Sequence, residues 1–311
     1  MKNYFDFTLT GKKFLPVWLL FYLIFLIPMG GYYYEKISTS QAGSPSPYIL
    51  LMLLAIIVVG GLIYFLIAKL TIEHVRYGES DFKFEGRFWP FAGKVLLGLF
   101  LTMITIGIYG AWFARDITRF FVDNSYHDGH SFRFNGKGGK LFLIILLVYI
   151  IPVILYSFLI LPFPPPKPEP LSMVAARQLF VIILAIPYYY FVYRWLIDIN
   201  YKTYHIHWET EWMPSIGKIA LEVFLSGITL GIYLPLAYLK LFAYFSQRTI
   251  AKKEDGAYVF GYDIEPTGDF LFIWGQLLLT IVTLGIYYPW AYTKIGKRIL
   301  SKTYVTALNE Y

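Results

Sequence analysis

The chain has 311 residues, of which 57% are hydrophobic, 20% aromatic and only 15% charged, with a mean hydropathy of +0.54. A soluble domain carries about 25% charge, so the composition excludes an ordinary water-soluble fold and points to a polytopic membrane protein. The net charge of +7 falls between apolar runs, which suits Lys and Arg facing anionic lipid and not a nucleic-acid partner. The absence of cysteine excludes disulfides, thiolate metal sites and Cys catalysis.

Lys2, Lys12 and Lys13 lead into the first apolar run, Phe14–Tyr34, which is span-length and lacks a small-x-small cleavage site, so it reads as an uncleaved first span. Six further apolar segments follow, at about 48–70, 90–113, 141–161, 174–197, 216–245 and 268–293. Two connections stand out by composition: Ile37–Pro47, rich in Ser, Gly and Pro, and Pro162–Pro170, which should be stiff polyproline II. Both are nearly uncharged, as outer-face loops usually are.

A short alternating element precedes five of the segments: FDFTLTG (Phe5–Gly11), DFKFEG (Asp81–Gly86), SFRFNG (Ser131–Gly136), TYHIHWE (Thr203–Glu209) and AYVFGYD (Ala257–Asp263). Apolar side chains recur at every second residue, the period of a strand with one buried face. Another repeat closes three segments: TIGIYGAW (Thr105–Trp112), TLGIYLPL (Thr229–Leu236) and TLGIYYPW (Thr283–Trp290). Gly permits a sharp bend, Pro235 and Pro289 cannot donate a helical N–H, and the Thr hydroxyl can satisfy backbone groups that the break frees. Together these motifs divide a single membrane domain, 1–311, into units. Residues 5–81 and 132–203 are two-span units; 82–131, 204–257 and 258–311 are T-x-G-I-Y units.

Charge decides between two topologies. Seven simple crossings split Lys and Arg 14 to 13 across the membrane, which is no bias. If each T-x-G-I-Y segment enters, bends and returns, only Lys36, Lys167 and Arg177 lie outside, leaving 24 of the 27 inside with the N-terminus. The expected fold is therefore an all-α polytopic membrane protein with about seven hydrophobic segments, four full spans plus three re-entrant ones, and short cytoplasmic β elements. The alternative is a single crossing followed by an interfacial amphipathic helix such as Trp112–Phe121, since Arg115, Lys240 and Lys294 come soon after the bend.

The F-x-F-x-G-like elements, the T-x-G-I-Y-x-P-W motif and the turn Tyr126-His127-Asp128-Gly129 before Ser131–Gly136 resemble the YjgN-like family, over most of the chain from Phe5 to about Tyr304. The resemblance implies a bacterial inner-membrane protein of unknown function and brings no substrate, cofactor or catalytic residue. Leu236 departs from it, standing where Trp112 and Trp290 stand in the other copies.

His205, His207, Glu209 and Glu211 share one face of a strand and are weak metal candidates; the same face elsewhere carries Lys83 and Glu85, or Arg133 and Asn135, which favours a solvated row. His127-x-x-His130 is a second weak candidate, explained as well by the turn. No catalytic motif is present and no cofactor is expected. Ser226 and Gln276 are mid-segment polar residues suited to helix–helix hydrogen bonds, and Arg194, Lys94 and Lys218 suit anchoring near segment ends. The leading expectation is a transporter- or channel-like protein for a small solute. Its path would be lined at the bends by Thr105, Gly107, Tyr109, Thr229, Gly231, Tyr233, Thr283, Gly285 and Tyr287, with Glu222 as a coupling group. The rival is a non-transporting protein that interacts with membrane lipids or serves as a scaffold. Oligomeric state is left open.

Overall fold

The computed structural model describes residues 2–38, 47–159, 168–254 and 256–308. The alternating elements are strands, and each has a partner strand at the far end of the helical pair that it opens. Among the described residues eleven strands result: β1 (Asn3–Phe7), β2 (Val75–Tyr77), β3 (Ser80–Asp81), β4 (Lys83–Phe84), β5 (Ser125–His127), β6 (His130–Phe134), β7 (Asp198–Tyr201), β8 (Tyr204–Trp208), β9 (Thr249–Lys253), β10 (Gly256–Tyr262) and β11 (Thr303–Leu308). They form one antiparallel sheet in the order β3-β2-β1-β11-β10-β9-β8-β7-β6-β5-β4. Its two edges, β3 and β4, are separated in the chain by Phe82 alone, so the sheet curls into a nearly closed barrel. The Phe82 N–H donates to the Val75 carbonyl on one side (2.9 Å) and the Glu85 N–H to the Asn124 carbonyl on the other (3.0 Å).

Tight turns lie at one end of the barrel and all the helices at the other. The helices are α1 (Gly11–Ser38), α2 (Pro47–Glu73), α3 (Phe88–Ile104), α4 (Gly110–Asp123), α5 (Gly138–Leu159, with π-helical turns at Ile145–Ile150), α6 (Leu171–Leu196), α7 (Trp212–Ile228), α8 (Leu234–Ser246), α9 (Pro266–Val282) and α10 (Tyr288–Leu300). Each packs on its neighbours in sequence, and α10 returns to α1, so the helices stand as a ring on the barrel. They do not form a solid bundle: the accessible surface is 19331 Å², against about 13,000 Å² for a compact monomer of this mass.

Two expectations are corrected. The chain is not an all-α protein with short separate β elements: the five alternating strands belong to one eleven-stranded sheet. Nor does it have seven spans. Among the described residues three helices, α1, α5 and α6, are long and apolar enough to cross a membrane. Each T-x-G-I-Y segment is two helices joined by a turn. The expected span 48–70 falls within α2, whose side chains at 50–58 lie outside the described residues, as do most of the two polar connections.

Five buried clusters fasten the helices to the barrel rim, each built on the last inward residue of an alternating element. Phe7 packs with Leu9 and Phe14; Phe84 with Phe65, Phe91 and Phe120; Phe134 with Ala111, Leu141 and Trp195; Trp208 with Tyr190 and Ile219; Tyr262 with Leu239, Ala243 and Ile273. Trp112 of α4 lies on Gly138 at the start of α5, and Trp290 of α10 on Gly11 at the start of α1. A Cβ on Gly11 would meet the Trp290 ring at 2.6 Å. Gly11→Ala is therefore expected to cost about 1–3 kcal/mol, seen as a lower thermal midpoint in detergent. Trp290→Leu in the same chain, matching Leu236, should restore it. An unchanged midpoint in Gly11→Ala would show that the indole is free to move aside.

Candidate functional site

Alternation along the strands sends one row of side chains into the barrel. That row is aromatic, so the lumen is an apolar cavity of about 570 Å³ lined by residues including Phe5, Tyr77, Phe82, Phe132, Tyr204 and Tyr258. Phe132 stacks on Phe82 with centroids 5.6 Å apart and on Tyr201 at 4.5 Å. Asn3, Ser246, Thr249 and Thr303 also line the cavity, and His127 is its one imidazole among the described residues. Its Nε2 is 3.1 Å from the Tyr77 carbonyl, which can only accept, so Nε2 carries a proton; the Tyr201 hydroxyl lies 2.9 Å from both Nδ1 and the His127 carbonyl. His127 thus ties β5 to β2 across Phe82, where the sheet edges meet. Burial pushes the Tyr77 and Tyr201 phenols above their ordinary range, so both stay neutral.

A second apolar cavity, of about 380 Å³, lies between α6, α7 and α8. Tyr189, Tyr193 and Tyr238 stand exposed at its mouth, and Trp208 stacks on Phe245 at 4.2 Å in its wall. Ile197, Phe242, Ser246 and Thr249 line both this groove and the lumen, so the two adjoin. In the first T-x-G-I-Y hairpin Phe65, Phe84, Phe91 and Phe120 form one buried cluster.

The expected pathway residues lie elsewhere, at the hairpin tips farthest from the barrel. Thr105, Thr229 and Thr283 close α3, α7 and α9 in the same way. The residue after each is left-handed: Ile106, Leu230 and Leu284 have φ of 50°, 49° and 51°, and Gly107, Gly231 and Gly285 follow at 88°, 85° and 86°. The Gly N–H reaches back to Thr102, Ser226 or Thr280 at 2.7–2.8 Å, which makes each tip a Schellman turn. Each Thr hydroxyl donates to the carbonyl four residues earlier and accepts the Tyr109, Tyr233 or Tyr287 N–H at 2.9–3.1 Å. Neighbouring aromatics cap spare tip carbonyls: Trp18 donates to Gly285 (2.9 Å), Trp274 to Ile232 (2.8 Å) and Tyr22 to Leu284.

Glu222 is 1% exposed and accepts from Tyr233 at 2.8 Å and from Lys218 at 2.6 Å, while Lys240 donates to the Tyr233 hydroxyl. Gln276, Tyr287 and Lys294 repeat the arrangement in the third hairpin. These groups pin the two arms of a hairpin together; they do not line the barrel. His205 and His207 point outward from the barrel, where His205 Nε2 meets Asp198 at 2.9 Å and the two rings stack. His130 turns away from His127 to the Asp128 carbonyl. Among the described residues no group of three or more His, Asp or Glu is placed to hold a metal ion.

Residues 81–251, more than half of the chain, match the model of a family of bacterial proteins of unknown function, DUF898. The chain belongs to the DUF898 family. This is the YjgN-like family that its motifs resemble. No curated protein and no solved structure matches it. The DUF898 match takes in β4 to β8, the first two T-x-G-I-Y hairpins and every residue of the groove. Sequence reasoning missed both cavities in this DUF898 protein. The one available signal was Ser246, which stands where the other two hairpins carry Val122 and Leu300.

Proposed function

We propose that this DUF898 protein is a multi-pass protein of the bacterial inner membrane, with the N-terminus and barrel cytoplasmic, that binds the hydrocarbon chain of a membrane lipid in its barrel. The observation that carries the reading is an aromatic lumen set beneath helices long and apolar enough to cross a membrane. The longer strands, of five to seven residues, are about 17–23 Å long and, tilted as barrel strands are, span roughly 13–18 Å, close to the ~15 Å of one leaflet's hydrocarbon. A lumen whose walls are mainly aromatic and aliphatic suits an acyl chain better than an ion or a hydrophilic solute.

The hairpins support the membrane setting. Ile106, Leu230 and Leu284 are 94%, 93% and 84% exposed, yet each sits in a backbone region that costs a non-glycine residue about 1–3 kcal/mol. Water offers nothing to offset that strain, whereas hydrocarbon does. Seventeen helical residues reach about 26 Å, and Lys240 and Lys294 sit within two turns of the tips, so the T-x-G-I-Y hairpins dip into one leaflet while the longer helices cross. The five strand–helix pair–strand units then read as repeats of one module, three of them shortened.

Two measurements test this. In the cysteine-free chain, single cysteines at Asn124, Thr210 and Thr306 should be shielded from an impermeant reagent outside the cell and one at Lys36 labelled; labelling at Thr306 would overturn the orientation. In phosphatidylethanolamine–phosphatidylglycerol vesicles, a phospholipid with a diazirine on its palmitoyl chain should leave adducts on lumen residues such as Phe132 and Tyr204, without solute flux. Solute-dependent flux with a lumen free of adducts would favour the transporter reading.

A further inference from the structure

We propose that the groove between α6 and α8 is the door by which a phospholipid acyl chain passes from the surrounding leaflet into the barrel. This rests on the reading that the lumen holds such a chain. Two observations point to the groove. It adjoins the lumen through four shared residues, Ile197, Phe242, Ser246 and Thr249. Its mouth is flanked by the exposed rings of Tyr189, Tyr193 and Tyr238, amphipathic side chains that suit the boundary between headgroups and hydrocarbon.

The opening has a local cause. On α8 the residue at the junction of groove and lumen is Ser246, small and 8% exposed, where α4 carries Val122 and α10 carries Leu300. The occupant is an acyl chain because the walls are aliphatic and aromatic, the polar groups at the junction are two neutral hydroxyls, and the helix on one side of the mouth is long and apolar enough to cross a bilayer. The Thr249 hydroxyl needs no partner from the chain, since its Oγ1 already donates to the Phe245 carbonyl at 2.9 Å.

Ser246→Leu closes the junction with a residue that the same fold already accommodates at Leu300. With the diazirine phospholipid in vesicles, lumen adducts on Phe132 and Tyr204 should fall on the order of tenfold, the ratio that a steric penalty of this kind produces, while adducts at the mouth, on Tyr193 and Tyr238, persist. Tyr238→Ala, which widens the mouth without touching the junction, should label the lumen faster than the unsubstituted protein. Full lumen labelling in Ser246→Leu, at an unchanged thermal midpoint, would overturn the door and leave the lumen reading standing. A lumen without adducts in the unsubstituted protein would overturn the lumen reading itself.

Discussion

Replacing Asp269 by alanine is expected to destabilise the protein more than any other single change considered, by about 3–5 kcal/mol. Asp269 is fully buried at the base of α9. Arg298 donates to its carboxylate at 2.7 Å, Lys302 at 2.6 Å, Tyr262 at 3.2 Å and the Glu265 N–H at 2.9 Å. Removing the carboxylate leaves two cations that are only 29% and 16% exposed with the solvent-facing Glu265 carboxylate, 3.2 Å from each, as their remaining anionic partner, and its longer contacts offset only part of the desolvation cost. The thermal midpoint in detergent should drop by on the order of 10 °C.

The same place in the other two hairpins shows what the cluster is for. Fourteen residues before the motif Thr stand Phe91, Ser215 and Asp269, all buried. Phe91 packs on Phe120 at 5.4 Å, Ser215 faces the Tyr244 hydroxyl at 3.5 Å, and Asp269 holds Arg298. One wedge is thus filled with hydrocarbon in the first hairpin and with ions in the third. A buried ion group of this kind is often replaceable by well-packed apolar residues, so Asp269→Phe, Arg298→Phe and Lys302→Asn together, the residues of the first hairpin, should come within about 1–2 kcal/mol of the parent. A drop in Asp269→Ala of under about 1 kcal/mol would mean that Glu265 and water relieve the cations.

The alternating strands were legible in the sequence because each turns one row of large apolar side chains, mostly aromatic, toward the barrel interior and rim, and the T-x-G-I-Y turns because a Schellman turn with a Thr brace needs those residue types in that order. The return strands were not. Val75–Tyr77 and Ser125–His127 are three residues each, too short to show a period, and their register comes from neighbours far away in sequence. Closure of the sheet at Phe82 is likewise a long-range event. The cavities were hidden for a different reason: Phe132, facing an open lumen, and Phe134, packed in a cluster, sit two residues apart on the same face of one strand. Nothing in the pattern tells them apart. Glu222 was visible as an odd charge, but its partner Tyr233 lies eleven residues on, across the break in the helix, and no helical spacing links the two.

A charge at the hairpin tips should separate a leaflet-inserted hairpin from one in water. Leu230 is almost entirely exposed and left-handed, so in water Leu230→Asp would be close to neutral, and the better tolerance of Asp for that backbone region would even help. In hydrocarbon the same change costs about 2–3 kcal/mol, and the triple change at Ile106, Leu230 and Leu284 should draw all three tips toward the headgroups. Leu230→Gly is the control, since it relieves the backbone without adding charge. The readout is a single cysteine at Ile232, labelled with a nitroxide in vesicles: apolar oxygen should broaden its signal strongly in the parent and in Leu230→Gly, and a water-soluble nickel chelate should take over in Leu230→Asp. A parent label that already answers to the nickel chelate would place the tip in water, and the strain at Leu230 would then need an explanation inside the protein.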